Sequence, residues 1–163
     1  MTSLPDASDA TLVVSRIVHR DAASLFEMWT TPAHLVRWWG PRGVTCIAAE
    51  VDLRTGGRYR IGNRLPGNRS VWITGEFERI DAPRLLVYTW RIEANERTND
   101  ERVTVRFDAV DGGTRVQVQH ARINDAAERR SHASGWEGCL DGLARYAEAG
   151  NAREVSGNGT GRR

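Results

Sequence analysis

Residues 30–41, Thr30-Thr31-Pro32-Ala33-His34-Leu35-Val36-Arg37-Trp38-Trp39-Gly40-Pro41, constrain the fold more than any other stretch. Thr31 suits an N-cap, and Pro32 suits the first helical position, where no backbone N–H is needed. Leu35, Trp38 and Trp39 then fall at i, i+3 and i+4, one apolar face of a two-turn helix that Gly40 and Pro41 terminate. Adjacent tryptophans on so short a helix point about 100° apart, so both are buried only where the helix sits in a concave surface.

The rest of the chain predicts such a surface. Residues 11–19 (TLVVSRIVH) are β-branched and apolar, a strand buried on at least one face. Asp21 then caps a short helix with Ala22, Phe26 and Trp29 on one face, so two short helices stand in tandem. Residues 44–53 form a second strand and Gly56-Gly57 a tight turn. Residues 58–62 form a third strand, setting Tyr59 and Ile61 against Arg58 and Arg60, and residues 63–69 with Pro66-Gly67 form a loop. Further strands cover residues 70–80, 84–93, 102–110 and 114–121. Leu86, Tyr88, Trp90 and Ile92 share one face, as do Val103, Val105 and Phe107, and Val116, Val118 and His120. Asp111-Gly112-Gly113 is a hairpin turn. These last strands read as a meander with one wet face.

A final helix opens at Asp125, with Glu128 three residues on as in a capping box. Trp136, Leu140, Leu143 and Ala147 recur as an apolar stripe. Gly135, Gly138 and Gly142 each cost about 1 kcal/mol in a helix interior. They are expected either to let the helix approach the sheet or to leave room between the two. Residues 1–10 and 150–163 have little to bury and read as a disordered lead-in and tail around one domain, residues 11–149.

The Thr31-Pro32…Trp38-Trp39-Gly40-Pro41 string resembles one family when taken with Arg54-Thr55-Gly56-Gly57 and Ser134-Gly135-Trp136. The chain looks like a member of the activator of Hsp90 ATPase homologue-like branch of the START-like (Bet v 1-like, SRPBCC) superfamily, across roughly residues 11–149. The resemblance implies an α+β helix-grip fold. In that fold a curved seven-stranded antiparallel sheet, with two short helices, grips a long C-terminal helix over a cavity.

Composition narrows the partners. All 23 basic residues are arginine and the formal charge is only +2, which asks for no polyanion. Arg54, Arg58, Arg60, Arg64 and Arg69 lie between Asp52 and Glu76 with no acid among them. They read as a solvated hairpin ahead of a nucleic-acid or anion site. No apolar run approaches the ~20 residues of a membrane span, and residues 1–10 lack the apolar core of a signal peptide, so the expected compartment is the cytoplasm. Cys46 and Cys139 read as buried thiols. His19, His34, His120 and His132 form no ligand cluster, so neither metal nor cofactor is expected.

No nucleophile elbow, Cys/His pair or paired carboxylates stand out, and Arg54-Thr55-Gly56-Gly57 is no phosphate loop. The informative set is aromatic. Trp38, Trp39, Tyr59, Tyr88, Trp90, Phe107, His120, Trp136 and Leu140 are the candidate ligand-binding residues, inward by strand or helix phase, while the phase of Trp72 is ambiguous. His120 reads first as a satisfied core histidine and second as a polar handle. The leading function is binding of a small hydrophobic or aromatic molecule, by a monomer or homodimer. The alternative is a polyketide cyclase or aromatase-like enzyme that works by holding a reactive chain in shape. A co-chaperone role ranks third, because the resemblance covers one domain only. A chain cut after Gly150 is expected to keep its melting temperature within about 2 °C of the full chain, and a calorimetric scan checks this.

Overall fold

The computed structural model describes residues 10–93 and 101–160, with side chains up to Gly150. The elements run β1 (Leu12–Val18), α1 (Ala22–Thr30), α2 (Pro32–Trp38), β2 (Thr45–Val51), β3 (Arg58–Leu65), β4 (Arg69–Asp81), β5 (Leu85–Ile92), β6 (Glu101–Val110), β7 (Gly113–Ala121) and α3 (Ala126–Thr160). The seven strands form one curled antiparallel sheet in the order β1-β7-β6-β5-β4-β3-β2. Six of them meander, and β1 returns to pair with β7, Val14 opposite Val118. Register shifts at Cys46/Ala48 in β2 and at Phe77/Arg79 in β4 add local twist, which helps the sheet curl. The helix-grip α+β architecture expected from the sequence is the one observed.

Both tandem helices start where their caps predict. The Asp21 carboxylate accepts the Ser24 N–H at 3.0 Å. Thr31 caps α2 differently from the expectation: its side chain makes no capping bond, and its carbonyl takes the N–H groups of His34 and Leu35. Trp38 and Trp39 are both buried, at 4% and 6% exposure. A concave seat is only half the reason. The helix ends between them, because Trp39 is already extended (φ −68°, ψ 140°) while its N–H still bonds Leu35. Gly40 at φ +114° then turns the chain away, in a region L side chains avoid.

Two further differences position the site. β3 continues to Leu65 rather than ending at Gly62, so Asn63 keeps the inward phase of Tyr59 and Ile61 and is buried. Gly138 and Gly142 of α3 face the end of α2 and the loop after it rather than the sheet. A Cβ on Gly142 would lie 2.8 Å from the Trp38 carbonyl oxygen, and one on Gly138 would lie 2.9 Å from Pro41 Cβ, whereas one on Gly135 would meet nothing within 4 Å.

The stripe Trp136, Leu140, Leu143 and Ala147 is buried, along with Cys139 and Ala144. The helix also tracks β1. Arg16 pairs with Asp141, and Glu148 accepts the His19 N–H at 3.1 Å. The helix is continuous to Thr160, past Gly150 where the sequence alone ends the domain. The expected lead-in, residues 1–9, and the loop at residues 94–100 lie outside the described residues.

The glycines give a paired test. Gly135→Ala is expected to gain up to about 1 kcal/mol from helix propensity, because its new methyl meets nothing. Gly142→Ala is expected to lose about 1–3 kcal/mol, because a backbone carbonyl cannot step aside. Urea denaturation of both variants checks the signs.

Candidate functional site

Between the N-terminal half of α3 and the open end of the sheet lies a cavity of about 310 Å³. Its sheet wall comes from Asn63 and Leu65 on β3, Val71 and Ile73 on β4, and Trp90 and Ile92 on β5. The loop after α2 contributes Trp39, Pro41 and Val44. The helix closes it with Ser131, His132, Gly135, Trp136 and Cys139. The space exists because Gly135 projects nothing into it and the facing β4 residues are no larger than Ile73. A benzene-sized void is ~150 Å³, so this one takes roughly two rings.

Three of the nine candidate residues, Trp39, Trp90 and Trp136, stand on its wall. The others lie elsewhere. Trp38 is turned away, its indole N–H donating to the Met28 carbonyl at 2.9 Å. Tyr59 and Tyr88 pack together at 5.0 Å beside Phe77, around a separate hollow of only about 20 Å³. The Tyr59 hydroxyl donates to the Thr89 carbonyl at 2.6 Å, and burial pushes both phenols up, so they are neutral. Phe107 and Leu140 are core residues, each 1% exposed. Trp72 faces the opposite side of the sheet, under the Arg60 guanidinium at 3.8 Å.

His120 lies behind the wall. It is fully buried between Trp90 (5.1 Å) and Trp136 (6.1 Å). Trp136 Nε1 donates to His120 Nδ1 at 3.0 Å, and His120 Nε2 lies 2.7 Å from Glu101 Oε1. An indole N–H can only donate, so Nδ1 must accept, and Nε2 carries the proton that goes to Glu101. Both nitrogens are spent, so His120 anchors Trp136 rather than offering a free acid or base to the cavity.

Sequence reasoning missed five residues. Trp29 is the hub of the aromatic cluster, stacked on Trp136 at 6.1 Å and 5.0 Å from Trp38. Glu101 is one strand period before Val103, a signal obscured by the charged run around it. Asn63 falls in a stretch whose Pro66-Gly67 predicts a loop. Cys139 and His132 flank Trp136 on α3, and His132 sits four residues before it, one turn away. Burial pushes the Cys139 thiol up to about 12, so it is a neutral wall group and no nucleophile. His132 is the titratable imidazole on the wall, 4.9 Å from His120. Burial, reinforced by His120, holds it below the ordinary histidine value.

A second depression, about 550 Å³, opens on the other side of the α2–β2 loop beside Arg37, Arg42, Arg145 and Tyr146. Its exposed lining is mainly polar, whereas that of the first is mainly apolar with a few convergent polar groups, the pattern of ligand sites. The five arginines after Asp52 are partly matched by acids. Arg54 bonds Asp52 at 2.8 Å, Arg60 grips Glu93 through two bonds, and Arg58 stands opposite Glu76. Among the described residues no group of three or more His, Cys, Asp and Glu could hold a metal, and no helix is long and apolar enough to cross a membrane.

The lowered value of His132 sets a pH dependence. The unfolded chain binds the proton at a higher pH than the folded one, so folding opposes protonation. The contribution of His132 is complete above the ordinary value of about 6.5 and is lost as pH falls towards the folded value. His132→Gln is therefore expected to flatten the fall in stability as the pH drops below the ordinary histidine value, read from urea midpoints at several pH values.

No curated protein matches the chain. Solved structures with the same fold include a protein from Chromobacterium violaceum at 21% identity, covering 85% of this chain and 97% of that one with a TM-score of 0.79. They also include the AHSA1 protein from Silicibacter pomeroyi at 22% identity, with coverages of 84% and 96% and a TM-score of 0.75. The AHSA1-like protein from Aeromonas hydrophila is 25% identical, with coverages of 86% and 94% and a TM-score of 0.67. The profile of one family matches residues 20–148, from the turn before α1 to the end of the buried stripe on α3, and the chain belongs to that family, described as Activator of Hsp90 ATPase homolog 1-like protein.

Proposed function

We propose that this protein binds a small hydrophobic molecule, aromatic or alicyclic, in the cavity between β3–β5 and α3. The observation that carries the reading is a cavity of about 310 Å³ walled by Trp39, Trp90 and Trp136 at the edge of a buried aromatic core. Large rings offer apolar area at low entropic cost, so a flat apolar ligand is the natural occupant. Two unpaired cysteine thiols favour a reducing compartment, the cytoplasm. The acids set against Arg54, Arg58 and Arg60 weigh against a nucleic-acid partner.

An enzyme of the cyclase type, using the same cavity, is the second reading. One observation favours it: His132 is held neutral on the wall at ordinary pH, so it could take a proton from a bound substrate. That reading calls for a His132→Gln protein that still binds but no longer converts its ligand.

The binding reading is tested by tryptophan fluorescence across fatty acids, flavonoids, polyketides and steroids. Trp136→Ala is expected to cost about 3–5 kcal/mol of stability, since it opens a void and strands the His120 acceptor. Trp90→Ala, on a wall that already faces open space, is expected to cost less while weakening binding tenfold or more. Near-unfolding of both variants, with no ligand better than ~100 μM, would mean the aromatic set is plain core.

A further inference from the structure

Two buried side-chain polar atoms among the described residues have no hydrogen-bond partner in the protein: Trp90 Nε1 and Asn63 Oδ1. Both residues are more than nine-tenths buried, at 6% and 4% exposure, and both line the same cavity. By contrast, the indoles of Trp29, Trp38 and Trp136 donate to Tyr88, Met28 and His120. An unpaired buried polar group carries a desolvation penalty that a fold has no reason to keep in two places on one wall. One is a donor and the other an acceptor.

Their separation follows from the sheet. Asn63 stands opposite Val71, and the register that sets Thr74 opposite Arg91 puts Trp90 beside Gly75. The two backbones are therefore offset by about 13 Å along the strands and about 10 Å across them, with both side chains lining the one cavity. One small polar group cannot reach both atoms. A ligand of about two rings, lying along the wall, can meet one with each end.

We infer that the cavity takes an elongated apolar ligand with polar groups at its two ends, an acceptor for the Trp90 N–H and a donor for the Asn63 amide oxygen, as in a two-ring compound hydroxylated at both ends. This rests on the cavity being a ligand site, and it specifies the chemistry of the occupant. His132 at the helix side is not needed for either contact.

The probes are biphenyl, 4-hydroxybiphenyl and 4,4′-dihydroxybiphenyl, titrated against the full chain by calorimetry and tryptophan fluorescence. Transfer from water alone favours the hydrocarbon, because each hydroxyl must shed its hydration. Partners inside the cavity reverse that order. The diol is expected to bind about tenfold tighter than the monophenol, and the monophenol about tenfold tighter than biphenyl, one buried hydrogen bond per step. Trp90→Phe keeps an aromatic ring and Asn63→Leu the approximate side-chain size, and each removes the unpartnered polar atom at its end of the cavity. In either variant the second hydroxyl is expected to bring no further gain. Should a variant fail to fold, the three-compound order on the natural chain still decides. Biphenyl binding as tightly as the diol would overturn the inference while leaving apolar binding intact. Failure of all three, where other apolar compounds bind, would overturn it as well. Failure of every apolar compound would remove the site itself.

Discussion

The Trp136 indole holds the molecule's two layers in register. Its N–H reaches across from α3 to His120 on β7, its face stacks on Trp29 of α1, and its edge packs near Trp39 and Trp90. The helix, the sheet and the tandem helices therefore meet at one side chain. The bond is directional as well as apolar, because Glu101 fixes the imidazole and the imidazole fixes the indole. A buried hydrogen bond contributes about 1 kcal/mol net, but breaking it strands a buried acceptor at a cost of about 1–3 kcal/mol. That asymmetry gives α3 one rotational setting.

With α3 fixed, the cavity follows from residue sizes. Towards β1 the helix packs Leu140, Leu143 and Ala147 against the sheet, all at most 1% exposed. Towards its N-terminus Gly135 faces Val71 and Ile73, and the layers do not meet. The glycines that follow do the reverse. Gly138 and Gly142 bring the helix onto the loop after α2, so that loop and its Trp39 become part of the wall. Close contact on one side and open space on the other come from one Gly-rich stretch, read at different helix angles.

The same cluster limits the chemistry. The imidazole that alternation points inward is spent on structure, and Cys139 is held as a neutral thiol. What remains on the wall is apolar ring surface, His132, the Ser131 hydroxyl and two unpartnered polar atoms, a set suited to binding and orienting. Membership of the family fixes the fold and leaves the ligand to be read from such details, because folds host many functions.

Local pattern sufficed for the element order, the strand faces, the apolar stripe of α3 and the family, since each depends on periodicity or short motifs within a few residues. It also placed Trp90, Trp136 and His120 on inward faces. It could not tell which inward residues meet each other and which meet space. Tyr59 and Trp90 share the same alternation, yet one fills a tyrosine–phenylalanine cluster and the other faces the cavity. Asn63 looked like loop because Pro66-Gly67 lies just beyond it, but pairing with Val71 extends the strand. Trp39 read as helical, and Gly40 with the cavity wall pulled it out of the helix. Phase along a strand or helix is a property of the sequence itself. Whether a face meets a partner depends on the size and angle of an element dozens of residues away, and only the assembled structure decides that.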